Sequence, residues 1–367
     1  MTDSLADYRD FLARVLPDDY AHNHRAYRDD EQLRTRFQAE SFDEGWLVPE
    51  WPQGLGGRDL PLTEALTIRI EGARRQVPRQ MCIQATGVVA PALRTFGTPE
   101  QQDHYLRPTL RGEAWWALGM SEPEAGSDLA SLRTTAVRRG DVFVVNGQKV
   151  WTTTADTARW CTLYVRTDTA APKHKGITCL LLDMDTPGVE VRPIAMASPS
   201  LETFCEVFLD NVEVPVENVL GTVDQGWQVA MAALEHERDM IWINNWLETQ
   251  RALEPVLAAG DLPPHRWERL GRLLADSEAI RLTGIRSVGH RSAGLDAPMS
   301  GILKLFGSES VQAAAAFTLD AASEVGIDSA GPFEEYLESM AATIYGGTSE
   351  VQRNIIAERI LGLPRGA

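Results

Sequence analysis

Residues 119–153 read GMSEPEAGSDLASLRTTAVRRGDVFVVNGQKVWTT, a stretch dense in groups able to grip a ligand. Ser121, Ser127, Thr152, Thr153 and Thr154 offer hydroxyls, and Gly119, Gly126 and Gly147 let backbone approach closely. Trp151 sets an indole beside those hydroxyls. A flat, polar-edged ligand needs such a stacking face with hydrogen-bond partners at its rim. The run Phe143-Val144-Val145 is β-prone, Asn146-Gly147 is a strong hairpin-turn signal, and Val150 and Trp151 begin the expected return strand. The same features also suit an ordinary surface hairpin, because short motifs recur by chance.

The elements around this stretch change character twice. Residues 1–115 read as helices: Phe11, Val15 and Leu16 form a stripe, residues 62–73 are helical, and Thr98-Pro99-Glu100 is a helix start with Thr as N-cap and Pro at the first helical position. Residues 116–223 read as short strands at 161–166, 177–182, 189–192 and 206–209, the spacing of a small sandwich or barrel. No GxGxxG follows a strand and opens a helix, so no Rossmann unit is evident. Residues 224–367 are helical again, with helices expected at 227–257, 264–291, 301–325 and 333–361. Four helices with short connections imply an antiparallel bundle.

A length of 367 residues suggests two or three domains. The net charge of −17 argues against nucleic acid or anionic membranes as general partners. A coenzyme's phosphates remain compatible, because a local Arg cluster can hold them. Cys82, Cys161, Cys179 and Cys205 are far apart, show no CxxC spacing and read as reduced, mostly buried thiols of a cytoplasmic protein. The start carries no apolar signal core, and no apolar run approaches the ~20 residues that span a bilayer. No metal site is expected.

SEPEAGSD followed by NGQKVWTT at this spacing resembles the flavin-binding signature of the acyl-CoA dehydrogenase family. IYGGTSEVQRNIIAERILGLPR, residues 344–365, resembles its closing helix, and GWLVPEWPQGLGG, residues 45–57, its early helical motif. The resemblance implies an α+β, mainly α fold: an N-terminal helical domain (1–115), a middle β-sandwich or barrel (116–223) and a C-terminal four-helix bundle (224–367). It implies FAD as cofactor and the α,β-dehydrogenation of an acyl-CoA thioester to the trans-2-enoyl product. A carboxylate takes the α-proton, the β-hydride passes to flavin N5, and hydrogen bonds to the thioester carbonyl stabilise the developing enolate.

Carried over by residue, Leu118, Met120 and Ser121 would meet the flavin's pyrimidine edge, and Ser127 the pyrophosphate and the substrate's thioester arm. Trp151 would pack on the ring and Thr153 reach N5. Thr348 and Glu350 would touch the phosphate and ribose region. Many relatives carry the base just before the Gly-Thr of the closing motif, where this chain has Gly346. A minority place it on the long helix just before an Arg, and Glu237 matches that position in Leu234-Glu235-His236-Glu237-Arg238. Glu235 is the competing acid, about 200° round the helix. The plain alternative for Glu237 is an ion-paired surface acid. Arg238 would anchor substrate or orient Glu237, and Gly346 and Gly347 would offer backbone to the thioester. Ile241, Asn244, Asn245, Trp242 and Trp246 follow on the same helix, as acyl-pocket lining or as bundle packing.

Residues 258–271 and 319–332 lack the family's Arg-x-x-Phe-Gly and Gly-Gly-x-Gly patterns, with which a partner subunit meets the flavin. Arg281 or Arg286 would then substitute, or a related subunit would complete the site in a hetero-oligomer rather than a homo-oligomer. Ile302-Leu303-Lys304-Leu305 resembles a bacterial subgroup that includes enzymes of steroid side chains. The implied electron acceptor is a protein like electron-transfer flavoprotein, and the acyl group rides on CoA or on a carrier protein. The alternatives are a same-fold flavin oxidase or monooxygenase, and a non-catalytic subunit of a heteromeric dehydrogenase.

Overall fold

The computed structural model describes residues 4–27, 30–197, 203–295 and 299–364, without the side chains of Arg25 and residues 235–240. The chain gathers into two compact units: Met1–Leu60, Val77–Met196 and Leu201–His236 in one, Pro61–Gln76 and Glu237–Ala367 in the other.

The first unit opens with α1 (Ser4–Val15), α2 (Tyr20–Asn23) and α3 (Glu31–Asp43). Tyr8, Phe11, Leu12 and Val15 of α1 recur at helical spacing and are buried. Asp30 caps α3 by accepting from Leu33 N at 2.9 Å. Helix α4 (Leu62–Arg74) belongs to the second unit, and α5 (Ala90–Phe96) and α6 (Pro99–Leu110) return to the first. Thr98 and Gln101 form the reciprocal capping box that the Thr-Pro-Glu start implied. Gln101 Nε2 then ties α6 to the strand region through Glu217 O (2.8 Å) and Val219 O (2.9 Å).

Among the described residues eight strands follow: β1 (Trp116–Gly119), β2 (Thr135–Arg139), β3 (Val142–Thr153), β4 (Trp160–Arg166), β5 (Ile177–Asp183), β6 (Val189–Pro193), β7 (Phe204–Pro215) and β8 (Val219–Leu220). They form one sheet in the order β6-β7-β3-β2-β4-β5-β8, with β1 parallel to β4. Alternation along the strands builds two cores. Cys161, Leu163 and Val165 of β4 with Leu180 and Leu182 of β5 meet Phe143, Val207 and Val212 inside the curled sheet. On the other face, Tyr164, Ile177, Cys179 and Leu181 pack with Leu93, Leu106, Leu110 and Trp116. Both faces of β4 and β5 are therefore covered, which is why their sequences read as continuous apolar runs. All four cysteines are buried thiols, and burial pushes the Cys161 thiol up to about 12.

The expected hairpin turn at Asn146-Gly147 is not there. The chain turns at Gly140 and Asp141 between β2 and β3, and Asn146-Gly147 lies within β3. The glycine serves a close approach instead: a Cβ on Gly147 would stand 2.7 Å from Thr134 Cα. Opposite it, β7 carries the extra residue of a bulge at Asn211, whose φ is 51°.

The second unit holds α4 and the helices of the bundle: α7 (Gly226–Ala259, which begins in the first unit), α8 (Pro264–Ser292), α9 (Ser300–Ala322) and α10 (Ala330–Ala342), followed by α11 (Ser349–Ile355). The last helix, expected to run unbroken over 333–361, is split. Gly346 and Gly347 take φ of 64° and 98°, a left-handed turn that ends one helix before Thr348 caps the next. Trp242 and Trp246 pack with Leu66, Ile280, Val288 and Leu303, so they are bundle core.

Trp242 fits only because position 284 has no side chain: a Cβ there would lie 2.2 Å from its ring. Alanine ordinarily stabilises a helix interior by about 1 kcal/mol over glycine. Here the sign should reverse, with Gly284→Ala destabilising by about 1–3 kcal/mol through overpacking. Thermal melts decide it; an unchanged or raised Tm contradicts this packing.

Candidate active site

The sequence-derived site residues fall into two sets, one in each unit. In the first unit they sit on two adjacent segments. Leu118, Met120 and Ser121, all half-buried, continue from the end of β1. Trp151 and Thr153 close β3. A backbone bond from Val150 N to Ser121 O (2.9 Å) joins the segments.

Beneath them lies a pair that the sequence reading missed. Lys149 is fully buried and Glu122 nearly so. Lys149 Nζ donates to Glu122 Oε1 at 2.8 Å and to Met120 O at 3.1 Å. Glu122 also accepts from Arg133 N (2.6 Å) and Thr134 N (2.9 Å). Burial alone would raise the Glu122 carboxyl. The Lys149 charge, its hydrogen bond and the two backbone donors outweigh burial and hold the carboxyl below its usual value. Burial also pushes the Lys149 ammonium down, against the pull of Glu122. A signal was present: Lys149 shares the parity of Phe143 and Val145, the inward side of β3.

The exposed face follows from a second bulge. Lys149 pairs with Val207 but Thr152 with Cys205, so β3 carries one extra residue at Val150-Trp151. Trp151 takes φ 58°, costly for a bulky residue, and its side chain stands 57% exposed. It leans edge-on against Phe204, centroids 6.3 Å apart. Parity resumes one residue later, burying Thr152 and returning Thr153 to the accessible side, half-buried. An exposed indole face, a neighbouring hydroxyl and the half-buried edge of Leu118, Met120 and Ser121 fit a flat ring with polar rims.

Ser127 is exposed in the loop after β1. Its neighbour Asp128 pairs with Lys173 at 3.0 Å. Buried Arg166 secures both loops, donating to Ala130 O (2.6 Å), Lys173 O (3.1 Å) and Lys175 O (2.7 Å). Sequence patterning gave no hint of this clamp.

In the second unit, Thr348 caps α11 by accepting from Val351 N at 3.3 Å. Glu350 is exposed, and its carboxyl is held low by the backbone donor at the helix start and by Thr348. Gln352 is buried and donates to Gly346 O at 3.2 Å. Thr348, Ser349, Glu350 and Arg353 line a groove of about 430 Å³ with Glu309 and Gln312. Arg281 is held by Glu278 at 2.5 Å. Asn244 is exposed, whereas Asn245 is buried against Gly307, whose missing Cβ would lie 2.5 Å from Asn245 Nδ2. The side chains of Glu235, His236, Glu237 and Arg238 lie outside the described residues; their backbone is part of α7.

Three domains of acyl-CoA dehydrogenases match the chain in order: the N-terminal domain over residues 2–113, the middle domain over 117–212 and the C-terminal domain over 224–361. The chain belongs to the acyl-CoA dehydrogenase family. It is 35% identical over 384 residues to acyl-CoA dehydrogenase IpdE1 of Mycobacterium tuberculosis, covering 99% of this chain and 97% of that protein. It is 40% identical over 326 residues to acyl-CoA dehydrogenase FadE34 of the same organism, covering 88% of this chain but only 45% of that longer relative. Among solved structures, Tcur3481-Tcur3483 steroid ACAD superposes with a TM-score of 0.82 at 30% identity, covering 100% of this chain and 98% of that chain. The family is flavin-dependent in general, and the matches make this chain an oxidoreductase of acyl-CoA dehydrogenase type. No helix among the described residues is long and apolar enough to cross a membrane.

The Glu122–Lys149 pair yields a signed expectation. Folding lowers the Glu122 pKa, so its contribution is present above the usual glutamate value of 4.5 and is lost as pH falls through the lower folded value. Glu122→Gln strands a buried ammonium and should cost about 3–5 kcal/mol at neutral pH. Urea midpoints followed from about pH 7 to pH 3 should fall more steeply for the wild type than for the variant. Equal slopes, or a variant of native stability, contradict the role given to the pair.

Proposed function

We propose that this chain binds FAD and catalyses α,β-dehydrogenation of an acyl-CoA thioester, with Glu237 as the base that takes the α-proton. The observation that carries the flavin assignment is Trp151, an exposed indole held out in a left-handed conformation by a strand bulge. Such strain persists only where surrounding structure enforces it, and it clusters at ligand sites.

FAD, when bound, supplies the hydride acceptor. The chain's own residues do the rest. Trp151 offers a face to the ring and the Thr153 hydroxyl a donor at its edge. Leu118, Met120 and Ser121 border the opposite rim by backbone and hydroxyl, with Met120 fixed by Lys149. Ser127 serves the pyrophosphate and thioester arm, and Thr348 and Glu350 the phosphate and ribose region. Gly346 and Gly347 present backbone to the thioester carbonyl, where an N–H donor stabilises developing enolate charge. Gly346 offers no carboxylate, and its left-handed φ would strain one. The proton therefore falls to Glu237, and Arg238 anchors the substrate beside it.

Similarity over the whole chain to a structure described as a steroid ACAD favours a bulky acyl group. The same similarity, with a relative described by two components, favours completion of the site by a related subunit. Helix α8 offers a surface for assembly: Trp267, Leu274, Leu282 and Ile285 are exposed along one face. Electrons then pass to an acceptor like electron-transfer flavoprotein.

Glu237→Gln should keep its flavin but lose turnover by roughly 10²–10⁴-fold, the usual worth of a positioned general base. Glu235→Gln should stay near the native rate. The reverse pattern would move the base to Glu235, and two active variants would leave the proton without either acid. Separately, Trp151→Ala should purify with less flavin, read from the visible absorbance per protein; unchanged content and spectrum would remove Trp151 from the site.

A further inference from the structure

Thr154, the residue that follows β3, takes φ 55°. Among the described residues with a left-handed φ it is the only β-branched one. Two substituents on Cβ crowd the backbone in that region, which makes the conformation a genuine outlier. Glycine or asparagine would make the same turn with less strain. The fold nevertheless holds threonine there from several directions. Thr154 N donates to Thr203 O at 2.7 Å, and its carbonyl accepts from Thr157 N (3.1 Å) and Ala158 N (2.8 Å). Its side chain is buried. Strain of this kind persists where the surroundings over-determine it, and it gathers at ligand sites.

The hydroxyl is what threonine adds to such a turn. Thr154 Oγ1 donates to Thr153 O at 2.8 Å, a bond that neither glycine nor alanine makes. Thr153 is therefore fixed on both sides. Trp151 at φ 58° precedes it by two residues and Thr154 at φ 55° follows it. Across the ladder it pairs with Phe204, and its own carbonyl is held by the next side chain.

We infer that Thr154 is a positioning residue for hydride acceptance: its hydroxyl and its strained backbone fix Thr153, whose own hydroxyl meets the ring edge where the hydride arrives. The inference rests on the dehydrogenase reading and on Thr153 as the group at N5. In that step the β C–H bond breaks and its electron pair leaves with the hydride, while the α-proton goes to the base. A misplacement of ~1 Å in a group that aligns reacting atoms costs about 10²-fold in rate. Thr154 acts only through Thr153 and exchanges no proton.

Thr154→Gly is the discriminating variant, because glycine adopts this φ freely and removes the hydroxyl. Relief of strain offsets the lost hydrogen bond and the added freedom of the unfolded chain, so Tm and flavin content should stay near native. The probe is the acyl-CoA that bleaches the wild type best, followed without oxygen by stopped flow. At saturation its bleaching rate should fall by roughly 10- to 100-fold, with KM near native. Deuteration of that substrate at the β-carbon should slow the variant by a larger factor than the wild type. Thr154→Ser, which keeps the hydroxyl, should retain most of the rate. A Thr154→Gly protein that bleaches at the native rate overturns the inference. So does a rate loss matched by lost flavin or collapsed Tm, which would make Thr154 a structural turn alone. So does a Thr154→Ser variant as impaired as Thr154→Gly. A Thr153→Val variant with native bleaching removes Thr153 from N5, and the inference with it. A wild-type chain that bleaches with no acyl-CoA defeats the dehydrogenase reading itself, a failure distinct from these.

Discussion

The buried Lys149–Glu122 pair is the interaction on which the candidate site of the first unit depends. Two charges are taken out of water inside the sheet and paired at 2.8 Å. The carboxylate takes the backbone N–H groups of Arg133 and Thr134, just before β2. The ammonium takes Met120 O. Such a pair adds little net stability over an apolar pair of the same volume, but removing one partner is expensive. What it gives is location: the chain from β1 to Ser121 is tied to β3 two residues before Trp151. The loop backbone proposed to face the flavin is thereby tied to a strand.

Strand arithmetic then decides what faces outward. Without the extra residue at Val150-Trp151, parity would send Trp151 inward with Lys149 and leave Thr152 outside. The bulge keeps Lys149 and Thr152 inside and releases Trp151 and Thr153 together. A similar economy governs the second unit. Two left-handed glycines make a turn that no side chain occupies, and Gln352 holds it through Gly346 O. In the first unit the bulge holds Trp151 in a strained left-handed conformation, whereas in the second two glycines take left-handed φ at little cost.

Much of this was legible in the sequence, for physical reasons that differ by element. The capping box at Thr98 and Gln101 is a local device and read correctly. So did β4 and β5, whose double-faced burial makes them dense in β-branched and apolar residues. The helical repeats of α7, α8 and α9 were found within a few residues, because their cores recur at helical spacing. The Asn146-Gly147 turn was misread because a glycine required by the nearby Thr134 backbone looks, in sequence, like a glycine required by a turn. The break at Gly346 was overlooked because the apolar pattern continues on either side of it. Motif resemblance singled out Trp151 and Thr153 but could say nothing of the bulge that exposes Trp151. The burial of Arg166 and Lys304 was not legible, since burial of a charge depends on elements distant in the chain. Glu237 was legible only through its place beside Arg238, and its assignment still stands on sequence.

The central claim is that this acyl-CoA dehydrogenase family member carries FAD and oxidises an acyl-CoA thioester. The most direct measurement is the visible spectrum of the purified protein, recorded without oxygen before and after adding a series of acyl-CoAs that ends in polycyclic ones. The account predicts an oxidised flavin band that bleaches with one class of acyl group, most completely with a bulky one. A flavin band untouched by every thioester would contradict the proposed reaction. A colourless protein that takes up no FAD, alone or with a related subunit, would contradict the site itself.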